Sequence, residues 1–472
     1  MRLRPARLAA GLALVGVLGA GAAIGFLQAQ GITPRALAPY VEKRSAGHNP
    51  FIVGVGQWLG STLRGLDRGA AEPHPLPAFS AGAQPLATAA GAGTVRLVSS
   101  PQELRAAFAA AVPGDVITLL PGTYRIRGKV DALRPGSAAA PVRVRAVQPR
   151  TVFIEFEATE GFAVAAPYWQ FENLTIRGAC AQQGNCEHAF HVVGAGHHFV
   201  ARNNTILDFN AHFKINGEST GFPDHGLIEG NTLGNQAPRR TTNPVTPIDL
   251  VAASDWIIRG NLIHDFIKTD GDRISYGAFA KGAGARTLFE RNVVLCEQRF
   301  QGYPGQRVGL SFGGGGSGKP FCRDRKCITE HDAGVMRGNL VAACSDAGIY
   351  LNSAAATTVV DNTLVDTGGI DVRFPESSAA LDGNLVDGAI RARSGAVLRL
   401  GANLSQPIAY AYAGYHPVRG LLRAPQQSDF GWRAEPPRRA GPAAPGPDLC
   451  GNARPASPAY GAFEDFGPCL RR

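Results

Sequence analysis

Three sets of residues in this chain have types and spacings that could do chemistry. The first is GGGGSGKP, where Gly313, Gly318 and Lys319 match G-x-x-x-x-G-K. Such a loop cradles nucleotide phosphates on its backbone N–H groups when a strand precedes it and a helix follows. VGLSF (308–312) supplies a strand, but Pro320 stands where magnesium needs Ser or Thr, and PFCRDRKCITEH has no helical stripe. No nucleotide is expected. The second set is the eight cysteines. Cys322 and Cys327 with His331 could be part of a zinc site, yet no second Cys/His pair at ligand spacing accompanies them. An even count suits disulfides in an exported chain. Sequence-local pairs would be 180–186, 322–327 and 450–469, which leaves Cys296 with Cys344. No metal ligand is assigned. The third set is polar: His191, Lys214, Asp249, Tyr350, Arg373 and Arg391, whose donors and acceptors suit a surface that grips sugars.

These residues belong to a repeat. Asn followed by small or aliphatic β-formers recurs as ENLTI, NNTIL, GNTL, GNLI, RNVV, GNLV, DNTL and GNLV, with asparagines at 173, 204, 231, 261, 292, 339, 362 and 384. Self-similarity at this period means stacked units. The units lack a helical stripe and are too short for propeller blades, so the expected fold is all-β, a right-handed parallel β-helix. One Asn per coil can stack its amide on the next and satisfy buried polar groups. A second strand precedes each Asn: FHVV, FKIN, IDLV, VGLSF, IYLN, IDVR and IRAR. Alternation turns Phe213 and Ile215 inward and Lys214 and Asn216 outward. It yields an outward row of His191, Lys214, Asp249, Ser311, Tyr350, Asp371 with Arg373, and Arg391 with Arg393. Five consecutive coils would span about 19 Å at about 4.8 Å each, room for several sugar units.

The largest spacing between asparagines, from 292 to 339, contains GGGGSGKP. The excess reads as a loop on the side of the solenoid, basic at Lys319, Arg323, Arg325 and Lys326. Long excursions from a regular coil are where such folds carry their sites.

With 59 Gly, 33 Pro and 18% charged residues among 472, long helices should not dominate. Of the net charge of +10, +8 lies at the ends, since residues 91–414 hold 31 Lys/Arg against 29 Asp/Glu. Global charge therefore implies no nucleic acid partner. Arg2, Arg4 and Arg7 precede Leu8–Leu27, twenty residues without a charge. Residues 1–30 read as a signal anchor or signal peptide, with 8–27 long enough to span a membrane and the rest outside the cytoplasm, in the periplasm or at the cell surface. In 31–92, Ile52, Val55, Leu59, Leu63 and Leu66 recur at helical spacing, and a Pro/Ala-rich linker follows. Residues 93–414 form the solenoid with a helical cap at its start, and 415–472 a Pro-rich tail packing on it.

At AVPGDVITLLPGTY and the asparagine repeats the chain resembles the right-handed parallel β-helix carbohydrate-active proteins. It is most similar to the chondroitinase B and alginate lyase family, polysaccharide lyase family 6, over 93–410. The tail DLCGNARPASPAYGAFEDF resembles the closing segment of exported β-helix proteins. The resemblance implies a lyase that cleaves an anionic, uronate-containing polysaccharide by β-elimination. In that family a lysine in a turn upstream of the coil's Asn is the base, and Lys281 in FAKGAGARTLFERNVV occupies a similar place. Removing a proton α to a carboxylate needs a base of lowered pKa and a cation to neutralise the carboxylate. The family's paired calcium-holding glutamates are not matched, since Ile274 and Tyr276 stand there and Asp270 and Asp272 lie upstream. Calcium is thus a candidate cofactor without its expected ligands. VGLSF lacks the family's arginine, for which Arg323 or Arg325 would substitute. The catalytic set is therefore Lys281, Arg323 and Arg325. Lys281 is expected to share inward parity with Phe279 and to reach solvent only where the strand ends. A uronate epimerase would use similar residues, and a non-catalytic polysaccharide binder only the outward row. A hydrolase would need aspartates beside Asp249, where Ala280 and Ser311 are expected.

Overall fold

Each repeat is too short to bury its apolar residues alone, so the repeats stack and share one core. The structure, a computed structural model, describes residues 5–69, 72–85, 93–219, 221–314, 317–441, 443 and 445–470. Arg2, Arg4, residues 86–92 of the linker, Gly315 and Gly316 lie outside these, as do the side chains up to residue 17. The chain winds through three parallel sheets of 12, 10 and 11 strands, a parallel β-helix. Inward rings stack from coil to coil: Phe162 on Phe190 at 5.3 Å and Phe190 on Phe213 at 5.2 Å. Each such pair contributes about 0.5–1.5 kcal/mol beyond its buried area.

The asparagine column forms at one turn of each coil from Asn204 onward. Asn204, Asn231, Asn261, Asn292, Asn339, Asn362 and Asn384 each donate from Nδ2 to the Oδ1 of the next, at 2.8–3.1 Å, and the run ends on Asn403. Asn173 does not belong to it. Thr175 pairs with Thr205, so Leu174 holds the column position and its N–H donates to Asn204 Oδ1 at 3.0 Å. Asn173 occupies the preceding turn position at φ 62°, like Asn203 at 57°. The extra, unforeseen member is Asn403.

The first coil is closed by a helix, Pro101–Ala109, with a capping box. Ser100 Oγ accepts from Glu103 N at 3.2 Å, and Glu103 Oε2 accepts from Ser99 N at 2.6 Å. Leu104, Ala107 and Phe108 face the solenoid, and Phe108 meets Trp169 at 4.8 Å between ring centroids. The helix thereby covers an end that would otherwise expose apolar side chains. The four disulfides are 180–186, 296–344, 322–327 and 450–469. Cys296 and Cys344 lie on neighbouring coils with Cα atoms 4.9 Å apart, within the range a disulfide needs. A second apolar cluster sits outside the solenoid, where Phe79, Leu422, Phe430, Phe463 and Phe466 cover Leu262, Val293, Leu295 and Leu340.

Glu72–Ser405 with Val418–Arg472 form one compact unit, and Met1–Ala71 with Gln406–Pro417 another. The second contains helices Pro5–Gln30, Pro34–Ser45 and Pro50–Arg68. Among the described residues no helix is long and apolar enough to cross a membrane, so the span expected at 8–27 has no structural support. Pro50–Arg68 buries Gly56, Gly60 and Asp67, while Ile52, Val55 and Leu59 stay largely exposed. The buried face is shifted from the apolar stripe toward the glycines. Glycine decides it: a Cβ at Gly56 would lie 1.9 Å from Ser45 Oγ.

Candidate active site

The site lies on the ten-stranded sheet, where side chains of consecutive coils stand in register. His191, Lys214, Asp249, Phe279, Ser311, Tyr350, Asp371 and Arg391 form one row. Phe279, not Ala280, is the neighbour of Asp249, since Ala278 and Ala280 are fully buried and inward. Lys281 therefore shares outward parity with Phe279, and the inward expectation was wrong. It pairs in register with Val251, which pairs with Asn216. No strand end is needed to bring it to the surface, because Ile274–Lys281 runs outward at Lys281 by simple alternation.

Lys281 opens into a cleft of about 610 Å³ that also holds Lys214, Asp249, Lys268, Asp272 and Tyr276. Lys214 Nζ donates to Asp249 Oδ2 at 2.9 Å, and Lys268 Nζ to Asp272 Oδ1 at 2.7 Å. Among the described residues Lys281 has no such ion pair, and its Nζ lies 4.4 Å from the Phe279 ring centroid. Burial holds the Lys281 ammonium below its ordinary 10.5; Asp249 opposes this, Lys214 adds to it, and Glu330 opposes it least. Burial pushes the Tyr276 hydroxyl up to about 12, with Tyr350, Asp346 and Asp272 adding to it. The cleft thus contains an amine that is easier to deprotonate than usual beside a phenol that stays protonated.

Gly314 and Ser317 line one wall, next to Gly313. Gly313 has φ 69°, and a Cβ there would lie 1.7 Å from the Asn352 carbonyl oxygen. Gly314 packs 3.5 Å, measured from an ideal Cβ, from Lys281 Cδ. Ser317 Oγ donates to Glu330 Oε2 at 2.9 Å, and Gly282 N to the same oxygen at 3.1 Å, fastening the loop to the turn after Lys281. Lys319 is exposed at the start of a three-residue 3-10 helix, not at the head of a phosphate-binding helix. The glycines serve backbone passage, not phosphate. Gly313→Ala is expected to displace this wall and lower activity on any cleft substrate at least tenfold. Wild-type rates in that variant would refute the assignment.

Of the expected site residues, the structure brings Lys214, Asp249 and Lys281 together. Tyr350, Arg373 and Arg391 lie further along the same sheet, outside the cleft lining. Tyr350 Oη accepts from Asn352 Nδ2 at 3.1 Å, Arg373 lies 4.4 Å from the Phe374 ring, and Arg391 pairs with Asp371 at 3.3 Å. His191 stands at the row's other end, held by Glu160 and Asn216. Arg323 is turned away from the cleft, doubly bonded to Asp224 at 2.7 and 2.9 Å and stacked 4.2 Å over Phe222. Arg325 is exposed and does not line the cleft. Neither arginine stands where a neutraliser beside Lys281 would. Lys268, Asp272, Tyr276 and Phe279 were missed as cleft residues, although the charged string KTDGDR signals Lys268 and Asp272. Calcium does not fit: Ile274 offers no ligand, Asp249 and Asp272 are each taken by a lysine, and Asp270 is exposed.

No family model matches the chain. It is 31% identical over 126 residues to pectate lyase L of Dickeya chrysanthemi, a match covering 24% of this chain. The chain spans only 29% of the length of that relative. Among solved structures, pectate lyase Pel9A superposes with a TM-score of 0.52 at 15% identity, covering 82% of this chain and 98% of that one. The alginate lyase AlyGC of polysaccharide lyase family 6 gives 0.34 at 13% identity, covering 66% and 51%. By its fold the chain belongs with the parallel β-helix proteins, a pectate lyase among them.

Proposed function

We propose that this protein is a polysaccharide lyase acting on a uronate-containing polymer outside the cytoplasm. The observation that carries the reading is Lys281: an amine on the outward face of a β-helix cleft, unpaired among the described residues, with burial favouring its neutral form. In the proposed reaction neutral Lys281 Nζ takes the proton α to the uronate carboxylate. The electron pair left behind forms the C4–C5 double bond, and the C4–O glycosidic bond breaks. Tyr276 supplies the proton that the departing oxygen gains. Lys214, partly exposed beside Asp249, offsets the charge that grows on the carboxylate. Four disulfides support an oxidising compartment, and the basic start followed by the uncharged run Leu8–Leu27 supports export.

The test is incubation with a panel of pectate, alginate and glycosaminoglycan polymers while following ultraviolet absorbance of the unsaturated product. Only the deprotonated amine can act as base, so the rate should climb with pH. The inflection should fall below the 10.5 of an ordinary lysine. A rate that falls across the alkaline range would exclude Lys281 as base. Polymer binding without product would favour a binding protein, and altered uronate stereochemistry without cleavage an epimerase.

A further inference from the structure

We propose that Glu160, His188 and His191 bind one divalent ion of the zinc class on the ten-stranded sheet. The three residues come from adjacent strands, Glu160–Val164 and His188–Val193, which pair Glu160 with His188 in register. One ligand atom from each lies within 4.8 Å of the others. All three side chains are partly exposed, so an ion can enter.

The hydrogen bonds around His191 need a cation. Asn216 Nδ2 donates to the Gly217 carbonyl, which leaves its Oδ1 facing His191 Nε2 at 2.8 Å. His191 Nε2 must then carry a proton and donate. Its Nδ1 lies 2.9 Å from Glu160 Oε1. In a neutral ring with that tautomer, Nδ1 offers only a lone pair, and two lone pairs at this distance repel. Either a second proton or a metal ion has to sit against them. His188 favours the metal. Its ring lies 5.2 Å from that of His191, and its Nδ1 is buried without a hydrogen-bond partner. A ring nitrogen fixed by a bond to an amide oxygen is also the usual outer support of a metal-binding histidine.

Two imidazoles and one carboxylate suit zinc and its neighbours, and not calcium, which takes oxygen donors. Zinc–nitrogen distances of about 2.0–2.1 Å in a tetrahedral site set ligand atoms about 3.3 Å apart, so the His191–Glu160 contact opens slightly while the longer separations close. Lys214, in register with His191, disfavours positive charge at His188 even though it is committed to Asp249, and Glu187, 3.9 Å from His188 Nε2, opposes it.

The full-length protein, stripped with a chelator, should take up one equivalent of Zn2+ in competition with a zinc-sensitive dye. His188→Ala, His191→Ala and Glu160→Gln should each weaken uptake more than tenfold while keeping the β-sheet circular dichroism. Asn216→Ala should weaken it by about tenfold, the usual cost of losing an outer-shell partner. Lys281→Ala should bind Zn2+ as the wild type does, which separates this site from the lyase reading. If the wild type takes up no Zn2+, the Nδ1–Oε1 contact belongs to a proton and the proposal fails. It fails equally if His188→Ala and His191→Ala retain full affinity, since the metal would then sit elsewhere.

Discussion

Lys281→Ala should reduce the rate of unsaturated-product formation by about a thousandfold, within the 10²–10⁴ that a positioned base contributes. The side chain stands on the outward face of Ile274–Lys281 and meets Phe279 and Gly314. It is not part of the solenoid core, so its truncation leaves the inward rings and the asparagine column untouched. The unfolding transition should therefore stay close to that of the wild type. Polymer affinity should change little, because Lys214 and Lys268 remain, so the loss should appear in kcat and not in KM. If the variant turns over as fast as the wild type, Lys281 is not the base.

The second large effect concerns stability. Asn292→Ala should cost roughly 3 kcal/mol or more, read as a lower urea midpoint. Asn292 Oδ1 accepts from Asn261 N at 3.1 Å and from Asn261 Nδ2 at 2.9 Å. Its Nδ2 donates to the Ile258 carbonyl at 2.9 Å and to Asn339 Oδ1 at 3.0 Å. Truncation strands the buried N–H of Asn261 and the carbonyl of Ile258, at about 1–3 kcal/mol for each orphaned group. Asn173 lies outside the column and makes its own bonds, its Oδ1 accepting from Asn203 Nδ2 at 2.7 Å and its Nδ2 donating to the Ala146 carbonyl at 3.3 Å. A loss below about 1 kcal/mol at Asn292 would mean that the column does not stabilise the coil.

The asparagine repeat, the two-residue alternation and the even cysteine count were enough to determine the fold and the disulfides. Both follow from local rules. A coil closes with a fixed turn residue, and coils that are neighbours in sequence become neighbours in space once the long loop is set aside. The same rules placed Lys214 and Asp249 on the outer face, and the resemblance drew notice to Lys281. What they could not fix was absolute phase. Asn173 fits the repeat by eye, yet pairing of Thr175 with Thr205 moves the column to Leu174. At Phe279 bulk suggested burial, but Phe266 and Val294 already crowd the core at Gly277, leaving room inside for Ala278 and Ala280 only. The aromatic ring turned outward, and with it Lys281. The loop's arginines were also decided at long range, since Asp224 claims Arg323 from 99 positions away. Lys268 and Asp272 reach the cleft from KTDGDR, a segment between strands and outside the repeat. Tertiary packing alone chose which charges meet, because register between distant strands depends on the volume each coil must fill and not on the identity of any one residue.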